Sequence, residues 1–274
     1  MIITPFCRGD IPVFLRLAAT EQWVAEPWEF EFLLTVFPEG CLCIRDGEGN
    51  GIAFVTSLRH ERSGWIGNLI VAAGYRGLGI GERLFRAAAQ ALKDAGAGTI
   101  WLTASKMGKS LYEKQGFKTV DTINRWSGSG RQRHRRHGSA PDLPEAEESL
   151  FDSDVGAWGD RRRALVQMTV GRGRLIRQES GFAVVQPCGE AMQLGPFSAL
   201  NSSGAATLLY EGLRAVPNGQ RMYVDSPQSN RAAVRLFKRT GLRVIGTNDL
   251  MYAGVKPDYR PELLYGLATM GSCG

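Results

Sequence analysis

Apolar positions along the first part of the chain change from helical spacing to strand-like runs. Residues 12–34 carry apolar side chains at helical spacing and contain Pro27, so they predict two short helices. Three short runs rich in β-forming residues come next, and the polar, glycine-containing turns between them predict an antiparallel meander. These runs are residues 41–45, 51–58 and 65–71.

Helical spacing returns at Ile80 and lasts until two glycines interrupt it. The pattern then predicts a strand over residues 99–103, a helix over 105–115 and a strand over 117–121. The hydroxyl of Ser105 is expected to cap that second helix. The first part of the chain therefore begins with helices, continues with three strands, and then alternates helix and strand.

Residues 127–150 break this pattern, because they are rich in Ser, Gly, Pro and charge and have almost no large apolar side chains. Such a composition predicts a flexible charged linker, which separates a domain over residues 1–126 from a second domain over 151–274. A basic block in this linker is followed by acidic residues, which is more typical of a solvated connection than of a nucleic-acid contact. The block contains Arg131, Arg133, Arg135 and Arg136.

Length and composition fit two soluble, compact domains. The chain has 274 residues, more than a usual single domain of roughly 100–200, and 43% of them are hydrophobic while 22% are charged. Much of the net charge of +6 lies in the basic block. Because no apolar run is long enough to span a membrane and residues 1–10 lack a signal pattern, a cytoplasmic location without membrane attachment is expected.

The five cysteines are odd in number and scattered, without a CxxC pair or a histidine at metal-ligand spacing. They are expected to be reduced thiols, and no metal site is expected. Cys41 and Cys43 alternate on a predicted strand, so both side chains should face the same side and pack in the core.

A glycine loop joins the strand over residues 65–71 to the helix that begins near Ile80. It consists of Arg76, Gly77, Leu78, Gly79, Ile80 and Gly81. Its glycines keep side chains away, so backbone N–H groups at the helix start can converge on an anion such as a pyrophosphate. Alternating glycines alone are a weak signal. The preceding meander argues against a Rossmann unit, and the lack of a following Gly-Lys-Ser/Thr excludes a Walker A loop.

Two motifs in this part of the chain resemble those of the GNAT N-acetyltransferase superfamily. Arg76, Gly79 and Gly81 match its Q/R-x-x-G-x-G/A motif. Residues 111–117, LYEKQGF, match its later L-Y-x-x-x-G-F motif. Because the two motifs occur in the correct order and about 30 residues apart, coincidence is a poor explanation.

This resemblance implies that acetyl-CoA is the acyl donor and that no metal takes part. Backbone groups of the strand before the loop would be free to hydrogen-bond the pantetheine arm and to polarise the thioester. Ser105 is a departure from the family pattern, because many relatives carry Asn seven residues before the tyrosine. The candidate cofactor-binding residues are the glycine loop, Leu69, Ile70, Val71 and Ser105.

The resemblance also implies that Tyr112 is the general acid that protonates the departing thiolate. The general base is left open, since relatives use a carboxylate, a histidine or a water chain. Glu26 and Glu29 flank the helical break at Pro27 and are candidates, although exposed helix carboxylates are usually only solvated. His60 is a third candidate in a polar turn, where a surface position is expected.

The second half repeats part of this pattern. Residues 236–242 align with 111–117, and Phe237 takes the place of Tyr112. Residues 195–202 correspond to the glycine loop but have Pro and bulky side chains where free N–H groups are required. The chain is therefore similar to a tandem GNAT protein with an intact N-terminal and a degenerate C-terminal domain, and one cofactor is expected per chain.

The resemblance gives the fold class as α/β (α+β), with two tandem GNAT-like domains. Each domain is expected to have a mixed, mostly antiparallel central sheet flanked by helices. The patterning of the second half agrees with this class. It predicts strands at 181–185, 190–194 and 221–225 and a helix at 203–214.

We therefore expect an acetyltransferase that moves an acetyl group from acetyl-CoA to a primary amine of a small molecule or peptide by direct attack. The alternative is a non-catalytic acyl-CoA-binding or regulatory protein, suggested by Ser105 and by the degenerate second half. Nucleic-acid binding through the basic block ranks last. The sequence does not define the acceptor amine, and it leaves open whether the chain forms a homo-oligomer.

Overall fold

The computed structural model describes residues 2–131 and 144–274, which fold into two compact units. Half of the expected linker, residues 132–143 with Arg133, Arg135 and Arg136, lies outside the described residues. In the part of the chain that is described, no helix has the length and apolar character needed to cross a membrane. Unit 1 contains Met1–Leu102, Ala253–Val255 and Cys273, and unit 2 contains Thr103–Tyr252, Lys256–Ser272 and Gly274.

Unit 1 is built on a sheet with the strand order β1-β2-β3-β4-β5. Neighbouring strands are antiparallel except for the parallel pair β4 and β5, so the predicted meander over β2, β3 and β4 is confirmed. Its elements are β1 (Ile3–Pro5), α1 (Ile11–Thr20), α2 (Pro27–Val36), β2 (Leu42–Arg45), β3 (Gly51–Arg59), β4 (Ser63–Val71), α3 (Ile80–Asp94) and the first part of β5 (Thr99–Ala104).

Four phenylalanines meet in the core of unit 1, where α1 and α2 pack on the sheet. Phe14 of α1 and Phe30 of α2 have ring centroids 4.4 Å apart, and Phe6 lies 4.9 Å from Phe54 of β3. All four rings are buried, and each buried Phe side chain stabilises a fold by about 1.5–3 kcal/mol relative to an exposed one. Pro27 is the first residue of α2, where its missing N–H costs no helical hydrogen bond, so the predicted helix break is confirmed.

The helix α3 packs on β3 and β4 through the apolar face that the sequence predicts. Gly96 follows the helix with φ of +87° and lets the chain reverse, as the glycine pattern indicates. The buried residues of α3 are Ile80, Leu84, Phe85, Ala88, Ala89 and Leu92.

Cys41 and Cys43 are fully buried, which confirms the predicted core packing. Burial raises the pKa of each thiol to about 12, so both are protonated at neutral pH. Cys7 is exposed, and the other four cysteines are buried.

Unit 2 has the strand order β11-β6-β10-β9-β8-β7, with β12 on β9. Its pairs are antiparallel apart from β9 and β10, so each unit has the mixed, mostly antiparallel sheet that the fold class predicts. Its elements are α4 (Lys109–Lys114), β6 (Lys118–Ser129), α5 (Pro144–Trp158), α6 (Arg163–Arg172), β7 (Arg174–Gln178), β8 (Gly181–Cys188), β9 (Ala191–Ala199), α7 (Ser202–Ala215), β10 (Arg221–Pro227), α8 (Arg231–Arg239), β11 (Arg243–Gly254) and β12 (Leu264–Gly266).

The strand β6 is much longer than the predicted strand at 117–121 and lies between β10 and β11. Trp126 is buried on it, with its Nε1 donating to Ser226 Oγ at 2.9 Å and its ring 5.5 Å from Phe237. The end of the first sequence repeat is thus part of the core of unit 2. For this reason the first compact unit ends near Leu102, whereas the first sequence repeat ends near residue 126.

Candidate functional site

A β-bulge interrupts β4 just before the glycine loop. Phe54 of β3 pairs with Ile70 and Thr56 pairs with Gly67, so two residues of β4, Asn68 and Leu69, oppose a single residue of β3. Asn68 has φ of +55°, a left-handed conformation that is uncommon outside glycine. The bulge changes the direction of the strand at the residues that the sequence nominates for cofactor binding.

The other edge of β4 pairs with β5 only near its start. The parallel register runs from Ser63 opposite Thr99 to Trp65 opposite Trp101. Three candidate residues come after this register: Leu69, Ile70 and Val71. Ile70 is buried, while the other two side chains are half-buried. On the β3 side, Ile70 and Val71 keep their sheet pairing.

The glycine loop leads from β4 into α3 through two left-handed glycines. Gly77 has φ of +79° and Gly79 has φ of +73°, and at both positions the space that a Cβ would occupy is open. Gly79 is the N-cap of α3 and has no side chain, so no capping oxygen from that position covers the first turn. The loop is also exposed at its centre, where the Leu78 side chain is 64% accessible. Gly81 lies in the first turn of α3, close to Val71.

The side chain of Arg76 holds the loop against neighbouring elements. Its Nε donates to the carbonyl oxygen of Val71 at 2.9 Å, and one Nη lies 2.5 Å from Oε1 of Glu21, the residue after α1. The pair with Glu21 is partly exposed, and such pairs contribute about 0–1 kcal/mol. Arg76 therefore fixes the position of the loop relative to the end of β4.

The three candidate bases all lie in unit 1 but differ in environment. Glu29 is buried, with 6% of its surface accessible, so the expectation of an exposed helix carboxylate is wrong for it. Its Oε1 accepts a hydrogen bond of 2.7 Å from Nδ2 of Asn68, at the bulge. Glu26 is the N-cap of α2, and its Oε2 accepts from Nε1 of Trp28 at 3.2 Å. His60 is buried in the turn between β3 and β4, so the expected surface position is also wrong.

Asn68 and Thr56 are site residues that sequence reasoning missed. Asn68 stands out in the sequence as a polar residue near the end of an apolar strand, but its left-handed φ and its contact with Glu29 come from tertiary structure. Thr56 lies across the sheet on β3, where its Oγ1 accepts from Nδ2 of Asn68 at 3.1 Å.

Unit 2 contains the other two candidates, Ser105 and Tyr112. The helix expected from residue 105 begins later, because α4 starts at Lys109 and residues 106–108 form a turn. Ser105 stabilises this turn: its Oγ accepts from the Gly108 N–H at 3.3 Å, and its carbonyl accepts from the Lys109 N–H at 3.0 Å. The Ser105 hydroxyl therefore caps the turn that precedes α4 and not the helix itself.

Tyr112 lies on α4 with its ring 6.3 Å from that of Phe117. Burial raises the pKa of the Tyr112 phenol to about 12, because the phenolate would lose solvation. The hydroxyl therefore carries its proton throughout the neutral range. The Phe117 N–H donates to the Tyr112 carbonyl at 3.1 Å and Gly116 has φ of +84°, which confirms Gly116 as the helix stop.

The corresponding helix of the second half ends in the same way. The Leu242 N–H donates to the Phe237 carbonyl at 3.0 Å, and Gly241 has φ of +83°. Phe237 is fully buried against Trp126. Asn230 caps this helix, since its Oδ1 accepts from the Ala233 N–H at 2.9 Å. The local geometry supports the sequence alignment of the two motifs.

The start of α7 differs from the start of α3. Residues 195–199 belong to β9, so the expectation that they are part of a loop corresponding to the glycine loop is wrong. Asn201 is the N-cap of α7, and its Oδ1 accepts from the N–H of Gly204 at 2.9 Å. A side chain of the protein thus occupies the position that an anion would take at this helix.

Each half of the chain matches a known family model. Residues 38–119 match a family model described as "Acetyltransferase (GNAT) domain", and residues 151–266 match another with the same description. The "Uncharacterized N-acetyltransferase YitH" of Bacillus subtilis (strain 168) is 29% identical over 230 residues, which cover 79% of this chain and 78% of that protein.

Two solved structures have the same fold. A putative acetyltransferase from Pyrococcus horikoshii aligns with a TM-score of 0.82 at 22% identity, covering 99% of this chain and 95% of that one. A tandem GNAT protein from the clavulanic acid biosynthesis pathway aligns with a TM-score of 0.61 at 15% identity, covering 94% and 99%. With both halves matched by family models, the chain belongs to the GNAT acetyltransferase superfamily and contains two GNAT domains in tandem.

Proposed function

We propose that this protein transfers an acetyl group from acetyl-CoA to a primary amine of a small molecule or peptide by direct attack. In this proposal, residues 1–126 form the catalytic domain, 127–150 the linker and 151–274 a degenerate domain, so that one acetyl-CoA binds per chain. The contrast between the starts of α3 and α7 carries the proposal. Gly79 leaves the start of α3 without a capping side chain, whereas Asn201 caps α7 from within the protein.

The first turn of α3 would hold the pyrophosphate of acetyl-CoA. Residues at a helix start have N–H groups without intrahelical acceptors, and the helix dipole adds a favourable potential for an anion. The Cβ directions at Gly77 and Gly79 are open, so a phosphate could approach the backbone there. Arg76 would keep the loop in place through Val71. These features suit the pyrophosphate as a ligand.

The strand residues before the loop would bind the acyl arm. Leu69, Ile70 and Val71 come after the paired part of β4 on its β5 side, so their backbone groups on that edge suit hydrogen bonds to the pantetheine arm. A backbone N–H in this stretch would also polarise the acetyl carbonyl and stabilise the oxyanion that forms on attack.

The chemistry would use Tyr112 as the general acid. The amine nitrogen forms a bond to the acetyl carbon, the carbon–sulfur bond breaks, and the Tyr112 hydroxyl gives its proton to the leaving sulfur. The attacking nitrogen loses its extra proton to a base or to water, and Tyr112 regains a proton from solvent. Support for this role comes from the motif around Tyr112, and a phenol whose pKa burial raises to about 12 has a proton to give at neutral pH.

Isothermal titration with acetyl-CoA tests the proposed site. Gly79→Glu places a carboxylate at the helix start and should abolish binding, because it would repel the phosphates and strain a left-handed position. Gly47→Glu is the matched control: Gly47 is an exposed turn residue of the same unit, with open space around it and no positive φ. Unchanged binding by the Gly79 variant would refute the site. Binding without transfer to any of a broad panel of amines would instead favour a non-catalytic acyl-CoA-binding protein.

A further inference from the structure

A chain of hydrogen bonds ties α2 to the β4 bulge. Glu29 Oε1 accepts from Asn68 Nδ2 at 2.7 Å, the same Nδ2 donates to Thr56 Oγ1 at 3.1 Å, and Thr56 Oγ1 donates to the Gly67 carbonyl at 3.4 Å. We propose that Glu29, Asn68 and Thr56, which we name the bulge clamp, position the Leu69 to Val71 backbone for the acyl group. Glu29 is then a positioning residue and not the general base. This inference rests on the proposed acetyl-CoA site.

The direction of each hydrogen bond in the clamp is determined by chemistry. Oε1 of Glu29 is the acceptor of its bond to Asn68, so the Asn68 amide must present its nitrogen there and not its oxygen. With the two hydrogens of Nδ2 directed at Glu29 and Thr56, the Thr56 hydroxyl is left to donate to the Gly67 carbonyl. One arrangement of the amide therefore satisfies the whole chain, which makes the clamp specific for one geometry.

The clamp also joins two features that are each unfavourable alone. A buried carboxylate such as Glu29 is costly unless hydrogen bonds satisfy it. A residue other than glycine with φ of +55°, as at Asn68, persists only where its surroundings hold it. The hydrogen bond between Glu29 and Asn68 offsets both the cost of burying the carboxyl group and the cost of the left-handed backbone. Because Asn68 lies in the bulge, this bond fixes the direction in which β4 continues toward Val71.

The environment of Glu29 fits positioning better than proton transfer. Its side chain has little accessible surface, and Oε1 already accepts a short hydrogen bond from Asn68. A general base must instead reach a proton on the attacking amine. In the bulge clamp, Glu29 needs only to present an acceptor oxygen to Asn68.

Glu29→Gln and Glu29→Ala separate the two roles. In the Gln variant the amide oxygen still accepts from Asn68, so kcat should stay within about tenfold of wild type. The Ala variant removes the acceptor and should lower kcat about a hundredfold, the effect of misplacing reacting groups by about 1 Å. A general base would instead lose about 10²–10⁴-fold in both variants.

Asn68→Gly supplies an independent test of the same contact. Glycine keeps the left-handed backbone without strain but removes both side-chain hydrogen bonds. Its kcat should fall as far as that of Glu29→Ala, and the double variant should fall no further, because both changes break one interaction. Circular dichroism of each variant establishes that it is folded, and Glu31→Gln, an exposed carboxylate of the same helix, should leave kcat unchanged.

The outcomes distinguish this inference from the proposed function. Equal losses in Glu29→Gln and Glu29→Ala would make Glu29 the base and overturn the clamp. Wild-type kcat in folded Glu29→Ala or folded Asn68→Gly would also overturn it, while the acetyl-CoA site would stand. Wild-type protein that neither binds acetyl-CoA nor transfers acetyl would overturn the proposed function, and the clamp's catalytic role with it.

Discussion

Arg76 connects the end of β4 to the glycine loop, because its Nε donates to the carbonyl oxygen of Val71 at 2.9 Å. The bond spans five residues and closes the loop on itself before α3 begins. The Arg76 guanidinium can donate to Val71 through one nitrogen while a second nitrogen contacts Glu21, because the donors of arginine point in several fixed directions. The arginine of the sequence motif therefore has a structural contact in this chain, whether or not it touches a phosphate.

Replacing Arg76 should weaken acetyl-CoA binding by loosening the loop. We expect Arg76→Gln to raise the dissociation constant about tenfold or more, which corresponds to about 1.4 kcal/mol. Isothermal titration measures this change. Glu21→Gln is the control, because it removes the exposed ion pair and keeps the bond to Val71, so its effect should be much smaller. Equal losses in the two variants would assign the effect to the ion pair and not to the Val71 bond.

Tyr112→Phe should lower turnover with little change in acetyl-CoA affinity. The substitution removes the phenolic hydroxyl and keeps the ring that contacts Phe117, so the fold of α4 should be retained. Loss of a general acid costs about 10²–10⁴-fold in kcat. Steady-state kinetics together with titration of acetyl-CoA separate the two effects. Unchanged kcat would remove Tyr112 from the acid role.

The raised pKa of Tyr112 makes a prediction for the pH dependence of kcat. Burial moves the pKa of the phenol up from its ordinary value of 10.0 to about 12, so the proton donor persists as pH rises through the usual range of phenol titration. The wild-type rate should therefore show no Tyr112-dependent decline below about pH 11. A pH–rate profile that falls near pH 10 in the wild type, and not in Tyr112→Phe, would contradict this assignment.

The sequence predicted most elements of unit 1, because local patterns determine them. The break at Pro27, the meander and the buried face of α3 follow from the spacing of proline, polar turns and apolar residues. The length of β6 could not be predicted in this way. Its residues after 121 become a strand because β10 and β11 pair with them, and those strands come about 100 residues later in the chain.

The candidate site was predicted only where a motif marks it. The glycine loop and Tyr112 could be named from the sequence, but Glu29 and His60 could not be recognised as buried, since their neighbours along the chain are partly polar. The role of Asn68 depends on a backbone angle and on a partner 39 residues away. Such long-range contacts leave no periodic signal in the sequence.

The capped start of α7 predicts a single cofactor site in each chain. Titration of acetyl-CoA should give one binding event per chain, because Asn201 occupies the helix start that would otherwise receive phosphates. Asn201→Ala should cost about 1 kcal/mol of unfolding free energy and should not create a second site, since Phe197 and Ser198 before it remain buried in β9. Two binding events in the wild type would refute the degenerate second domain.

The contact between Arg125 and Asp225 should be important for the stability of unit 2. Arg125 on β6 binds the Asp225 carboxylate through Nε at 2.9 Å and Nη2 at 2.6 Å, across the pair that joins β6 to β10. The Asp225 side chain is 3% accessible and that of Arg125 is 27% accessible. Asp225→Asn leaves a charged guanidinium with a weaker partner in a largely dry setting. We expect a loss of about 2–4 kcal/mol, less than for a fully buried pair because Arg125 is partly exposed.

Urea unfolding of Asp225→Asn measures this loss as a change in midpoint at constant slope. Glu113→Gln is the comparison variant, because Glu113 forms an exposed pair with Lys109 at 3.9 Å on α4 and exposed pairs contribute little to stability. Equal effects of the two substitutions would mean that the Arg125 pair is no better than a surface pair. A larger loss for Asp225→Asn would instead indicate that β6, the strand that ends the first repeat, is stabilised by its charged contact with β10. Residues 1–126 produced alone would lack that contact and should be unstable.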